Sequence, residues 1–280
     1  MKINFIIKIL ISFIIINSSQ VFPWGDEGHK LISRKAVEFL PKEMEAFKQW
    51  GSYLNEHSVD PDYRKEIDST EGPKHYIDID YYTEFLNGNM IKDKKQLVSI
   101  YGDSIVTRMG LLPWATLQTF ENLTQAFKEK NRDKILIFAA DLCHYVGDGH
   151  QPMHTMVNYN GQFTNQTGIH MRYEVNIIDS NLTEIMNSMT SGKVSYVDDV
   201  SSFIFNYIAN ANSVGDVLLA ADNLAFKVSG SRENNEYYRL LWYRTRYITC
   251  TQFNSAATDL ASLIYTAWVD GGKPSFKKIK

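Results

Sequence analysis

His144, Asp148 and His154 are the residues on which any chemistry of this chain must centre. They lie in the stretch 139–154, which reads AADLCHYVGDGHQPMH. Residues 135–143 just upstream are apolar apart from Asp141, a pattern long enough for a helix buried on most sides. On such a helix, His144 and Asp148 stand four residues apart, one turn above the other on one face. Gly147, Gly149 and Pro152 then stop the helix, and the turn they make brings His154 back as a third donor. An unpaired carboxylate in a buried helix costs several kcal/mol, and a divalent cation is the simplest partner to offset it. Further on, His170 and Glu174 repeat the i, i+4 spacing. Each pair supplies an imidazole nitrogen and a carboxylate oxygen, the donor mix that suits zinc. One such pair is common by chance. Two pairs, with the His-Gln-Pro-Met-His turn of 150–154 between them, predict a metal site.

Other donors sit near turns and helix ends. His29 falls in the first turn of a helix whose apolar positions, Leu31, Ile32, Ala36, Val37, Phe39 and Leu40, follow helical spacing up to Pro41. A second helix follows over 41–56. Pro61 predicts a turn or extended backbone at Asp60-Pro61-Asp62, from which either acid can reach a cleft; an ordinary Asx turn is the plainer reading. Residues 71–82 alternate polar with apolar side chains, predicting a short extended segment with His75 at its start. Helices are expected over 95–109, from Leu112-Pro113-Trp114 to Phe127, and then over 203–211, 217–226 and 236–268. The last reads as scaffold, its Tyr, Trp and Leu stripe fitting a core better than a ligand surface. His57 and His150 are read as non-ligands. A single domain over 24–280 is expected, most of its segments reading as helices, since no repeat, low-complexity run or linker interrupts it.

The chain has 280 residues, 44% of them hydrophobic, enough to bury a full core. Its net charge of −3 excludes a polyanion-binding surface spread over the whole molecule. Cys143 and Cys250 are too few for a disulfide framework and are not spaced as a thiolate zinc site. They form one bridge or stay as two thiols. Residues 1–23 read as an export signal, with Lys2 and Lys8, an apolar Ile9–Ile16 stretch that extends Phe5–Ile7 across Lys8, and polar residues after it; the apolar part is too short to span a bilayer. Cleavage there leaves 27 basic against 32 acidic residues, a charge of −5. Ser18 and Ser19 are better cleavage positions than Pro23. The protein is expected to be secreted or periplasmic, with no membrane span. Asn122, Asn165 and Asn181 open glycosylation sequons that matter only in a eukaryotic host.

The order Trp24-x4-His29, Asp62, His75, His144-x3-Asp148-x5-His154, His170-x3-Glu174 resembles the superfamily that unites zinc-dependent bacterial phospholipases C with the single-strand-specific zinc nucleases of fungi and plants. The resemblance runs from Trp24 to Glu174, and beyond it the likeness is only helical. It implies an all-α fold of the phospholipase C and zinc nuclease type, with three zinc ions at the bottom of a cleft. By that resemblance Asp62, His75, His144 and Asp148 hold one zinc, while His154, His170 and Glu174 hold a second, more open one. His29 and Asp148 hold the third with the amine and carbonyl of Trp24, which requires cleavage just before Trp24. Asp60 is the fallback for Asp62.

Such a site suits phosphodiester hydrolysis, with Asp62 as the catalytic residue that orients a water bridging two zincs. Arg64 or Lys65 is a candidate phosphate contact, and Asp141 a candidate partner for the His144 ring. The glutamate that ends the motif resembles the phospholipases, whereas the spacing from Trp24 to His29 and the His150-Gln151-Pro152 turn resemble the nucleases. The balance of these features favours a phospholipase C acting on phospholipid head groups. The alternative is an endonuclease on single-stranded nucleic acid. A third class, a metal-holding secreted protein without turnover, remains as the contrast.

Overall fold

The computed structural model describes residues 24–280. The expected export signal, residues 1–23, lies outside them. Among the described residues the chain folds into thirteen α-helices with no strand. In order these are α1 (Gly25–Phe39), α2 (Gly51–His57), α3 (Asp60–Arg64), α4 (Thr83–Leu86), α5 (Lys94–Tyr101) and α6 (Asp103–Arg108). Then come α7 (Leu112–Glu129), α8 (Arg132–Gly149), α9 (Ile169–Met171), α10 (Ile178–Ser188), α11 (Val200–Asn212), α12 (Gly215–Ser229) and α13 (Asn235–Asp270). No described helix is long and apolar enough to cross a membrane.

Local chemistry sets most boundaries. Pro113 opens α7 in its first turn, where a missing N–H costs nothing. Asn131 caps α8 by accepting the Lys134 amide at 3.1 Å, and Asp93, Asp199 and Asn234 cap α5, α11 and α13 in the same way. Gly230, at φ +73°, closes α12 in the left-handed region.

α8 is the central helix, and it faces two apolar clusters. Leu142, Cys143 and Val146 belong to a large core with α1, α7, α10 and α13, which includes Trp24, Phe47, Phe127 and Phe253. Tyr145 belongs to a smaller one with Ile77, Tyr82, Leu97, Leu112 and Ile208. His144 and Asp148 are therefore carried along the seam between the two cores. Both cysteines are free, Cys143 in the core and Cys250 half-buried on α13.

Four local expectations differ from the structure. The helix expected over 95–109 is divided by Gly102, at φ +83°, into α5 and α6. Asp60-Pro61-Asp62 is helical, not extended, because proline at the second position of a helix is pre-set for its first turn. Residues 41–56 divide into a 3-10 stretch, Lys42–Trp50, and α2. The alternating segment after Glu71 forms no strand. Ile77 and Ile79 are both fully buried, and the Ile77 and Asp78 amides bond singly to the carbonyls of His154 (2.8 Å) and Met109 (2.7 Å). Gly110 permits this approach: at φ +97°, a Cβ there would lie 2.0 Å from the Tyr76 carbonyl oxygen.

Candidate metal centre

Asp148, near the C-terminal end of α8, is wholly buried and is ringed by four imidazoles. Its Oδ1 lies 3.4 Å from His29 Nε2 and 3.6 Å from His154 Nδ1, and its Oδ2 lies 3.1 Å from His75 Nδ1 and 3.3 Å from His144 Nε2. Asp62, from α3, approaches the same group, 3.5 Å from His75 and 3.6 Å from His144. The nitrogens His144 Nε2 and His75 Nδ1 face one another at 2.9 Å. Ligand atoms of a tetrahedral zinc, at bond lengths of about 2.0–2.2 Å, are separated by roughly 3.3–3.6 Å. The observed separations fall around that value.

Three donor groups emerge from the geometry: His29, Asp62 and His144; His75, His144 and Asp148; and His154, His170 and Glu174. In the third, His170 Nε2 is 2.5 Å and His154 Nε2 3.6 Å from the Glu174 carboxylate. Both nitrogens of His29, the carboxylates of Asp148 and Glu174, and Nε2 of His154 and of His170 make no hydrogen bond although buried. Each such orphan costs about 1–3 kcal/mol. So many converging on one place fit cations.

The charges respond to that crowding. Burial pulls His144 down, but the Asp148 and Asp62 carboxylates outweigh it and hold the ring up at about 9. Glu174, despite burial, is held down at about 2 by His170 and His154. His29 shifts the other way, lowered by burial and by its stacked neighbour His144, whose ring centroid is 4.0 Å away.

Two of the ligand rings are aimed by backbone carbonyls. His144 Nδ1 donates to the Ser58 carbonyl at 2.8 Å, and His154 Nδ1 to that of His75 at 2.7 Å. This partner leaves the free nitrogen facing the cluster and fixes the tautomer. Ser58 thus takes the place expected of Asp141, which instead accepts from Arg64 at 2.9 Å. Gly147 lets His29 pass beside α8: a Cβ there would sit 2.8 Å from His29 Nδ1. Trp24 is fully buried at φ +49°, and its indole N–H donates to the Gly147 carbonyl at 2.6 Å.

His170 and Glu174 sit where α9 passes into a π-helical turn, Arg172–Ile177, not on a regular helix. Widened turns of this kind are frequent at functional sites. Around it, the fully buried Asp222 accepts from Gln166 (2.7 Å), Arg172 (3.2 Å), Arg232 (3.1 Å) and the Tyr237 hydroxyl. Tyr173 bonds Thr249 at 2.9 Å. The turn is pinned to α12 and α13 immediately before Glu174.

A cleft of about 440 Å³ opens onto the donors, lined by Lys65, Tyr76, Asp78, Arg108, Tyr159 and His170 among others. Lys65 stands 2.5 Å from Asp62. Arg64 does not line this cleft, since its guanidinium is engaged with Asp141 and Tyr145 behind it. Asp60 pairs with the half-exposed His57 at 2.8 Å, away from the donors, and His150 bonds the Val146 carbonyl and Asp259. Burial and the neighbouring Asp80 push Asp78 up to about 7. Sequence reasoning does not reach Glu71, whose Oε1 lies 3.6 Å from His75 Nε2 and accepts the Tyr145 hydroxyl. The i, i+4 spacing of Glu71 and His75 is present in the sequence, but Pro73 between them argues against a helix; a 3-10 turn, Gly72–His75, brings them together.

A helical frame with three His and carboxylate donor groups at the floor of one cleft, two of them sharing His144, fits a multinuclear metallohydrolase. The chain belongs to the S1/P1 nuclease family, whose pattern matches residues 24–199 and so takes in every donor named above. This is a family of zinc-dependent phosphodiesterases, within the superfamily indicated by the sequence, and zinc is its metal. No curated protein matches the chain.

Proposed function

We propose that this chain is a nuclease that cuts single-stranded nucleic acid. The observation that carries the reading is the family match over 24–199. It favours the nuclease over the phospholipid reading that the glutamate ending suggested. The cleft supports this choice. Tyr76 and Tyr159 offer rings to an unstacked base, and Asp78, titrating near 7, can donate or accept a hydrogen bond at its edge. The donors lie deep, with the side chains of His75 and His154 only 4% exposed. A phosphate of a strand that can bend into the cleft reaches them, whereas a stacked duplex does not.

In this reading Asp62, His75, His144 and Asp148 would hold one zinc, His154, His170 and Glu174 a second, and His29, Asp148 and the backbone of Trp24 a third. Bound zinc lowers the pKa of water to about 7 and neutralises charge developing on the phosphoryl oxygens. Asp62, at the cleft floor, accepts a proton from the attacking water and fixes its direction. Lys65, beside Asp62, contacts a non-bridging phosphate oxygen. The carbonyls of Ser58 and His75 keep the His144 and His154 rings from turning. The same reading has the protein exported and cleaved before Trp24, which frees the amine there.

The test offers purified protein single-stranded DNA, single-stranded RNA and a chromogenic phosphocholine ester, each with zinc and with chelator. Zinc-dependent cleavage of the nucleic acids with little turnover of the ester is expected. The opposite preference overturns the substrate assignment, and metal binding without activity on any of them restores the non-catalytic reading.

A further inference from the structure

We propose that a second pocket, next to the metal cleft, binds a nucleotide of the substrate strand adjacent to the scissile step. The proposal rests on the nucleic-acid reading above. The pocket, of about 540 Å³, lies between the 71–75 turn, the start of α5 and the facing sides of α7 and α8. That is within the range of roughly 300–1,000 Å³ typical of small-molecule sites.

The two cavities share one wall. Gly72 and His75 line the metal cleft, while Glu71 and Lys74, from the same turn, line the second pocket. Likewise Arg108 and Met109 face the cleft and Leu111 the pocket. A strand leaving the metal floor crosses a single turn of backbone to enter it.

The chemistry inside suits a base with its phosphate. At the floor the charges are already matched: Arg64 holds Asp141 at 2.9 Å and lies 3.6 Å from Glu71, which also accepts the Tyr145 hydroxyl. Lys74 bonds Glu71 at 2.7 Å, and the half-buried Asp68 is occupied by the Thr70 amide and hydroxyl. Lys94 differs from these. It is half-buried on the pocket wall and has no ion-pair partner among the described residues, so its charge is available to a phosphate.

Trp114, across the pocket, donates its indole N–H to the Lys92 carbonyl at 2.7 Å and packs its edge on Phe205, with centroids 5.8 Å apart. Its plane is thereby fixed before any ligand arrives, which lowers the entropy cost of stacking a base on it. Gln118, one turn further along α7, lines the same wall; its Nε2 donates to Glu121 and Asn122 at 3.3 Å, which leaves the amide oxygen to accept from a base edge. An ammonium, a rigid indole and an amide around one cavity are the elements of nucleotide recognition.

The experiment measures kcat and KM of the zinc-loaded protein on single-stranded oligonucleotides from two to six residues long. Lys94→Glu and Trp114→Ala are compared with the unaltered chain. Lys74 is left alone because it bonds Glu71 beside His75. The unaltered chain should gain in kcat/KM as the strand lengthens. Both variants should lose that gain, falling about tenfold on the hexanucleotide through KM while the dinucleotide is cut as before. Should Trp114→Ala fail to fold, Lys94→Glu, on the first turn of α5, carries the test. A length gain untouched by Lys94→Glu, or a loss equal on both lengths, overturns the pocket alone. Absence of cleavage at every length overturns the nucleic-acid reading and the pocket with it.

Discussion

Replacing Asp148 with alanine removes the carboxylate that four donor imidazoles surround and that the proposed assignment gives to two of the zinc ions. In the structure its oxygens lie 3.1–3.6 Å from His29, His75, His144 and His154, with no solvent exposure. Removing one partner from a buried charged set costs about 3–5 kcal/mol, because the remaining charges lose their compensation. Applied to metal affinity, that is a loss of roughly 10²–10⁴-fold at each site that Asp148 serves. Zinc per chain, measured by elemental analysis after gel filtration, should fall to the single ion of the His154, His170 and Glu174 group. Diesterase activity should drop by a similar factor. His170→Ala is the counterpart, since it touches one group only and should remove one ion. A D148A protein that keeps the full zinc complement would refute the bridging role.

Three further outcomes follow from particular contacts. Asp222→Asn weakens the bonds from Arg172, Arg232 and Tyr237 that pin the π-helical turn, so zinc affinity of the His154, His170 and Glu174 group should fall about 10–100-fold, read by competition with a fluorescent chelator. Gly147→Ala puts a Cβ 2.8 Å from His29 Nδ1; the helical circular dichroism should be kept while activity falls at least about tenfold, as expected for a displaced ligand. Asp78 gives a pH signature. With its carboxyl at about 7, against an ordinary value of 3.8, the folded chain holds this proton more tightly than the unfolded chain does. Its contribution to stability is therefore greatest at low pH, declines between about pH 4 and 7, and is level above that. Thermal melts of Asp78→Asn should lack that decline, and a difference curve flat over this window would disprove the shift.

Much of the site was legible because its donors obey local geometry. The spacing of His144 and Asp148, and of His170 and Glu174, pointed together to two donor pairs, although the second sits in a π-helical turn and not on a regular helix, and glycine and proline announce the turn to His154. The choice between Asp62 and Asp60 was not local. It depends on α3 being a helix, which puts Asp62 toward His75 and His144 and leaves Asp60 with His57 at the surface. The backbone acceptors were not legible either, since a carbonyl such as that of Ser58 carries no sequence signature and is found only when α3 and α8 are packed. Asp141 drew attention by its spacing from His144, yet Arg64 claims it across 77 residues of chain. The alternating stretch after Glu71 shows the same limit. Its pattern is satisfied by burying Ile77 and Ile79 between α7, α11 and the His154 turn, with no neighbouring strand required.

The central claim is that these scattered side chains close on a cluster of cations. Anomalous diffraction from crystals grown with zinc, recorded on both sides of the zinc absorption edge, tests it most directly. The account predicts three peaks, one within bonding distance of His154, His170 and Glu174 and two flanking Asp148. Peaks lying elsewhere on the molecule, or none in the cleft, would contradict it.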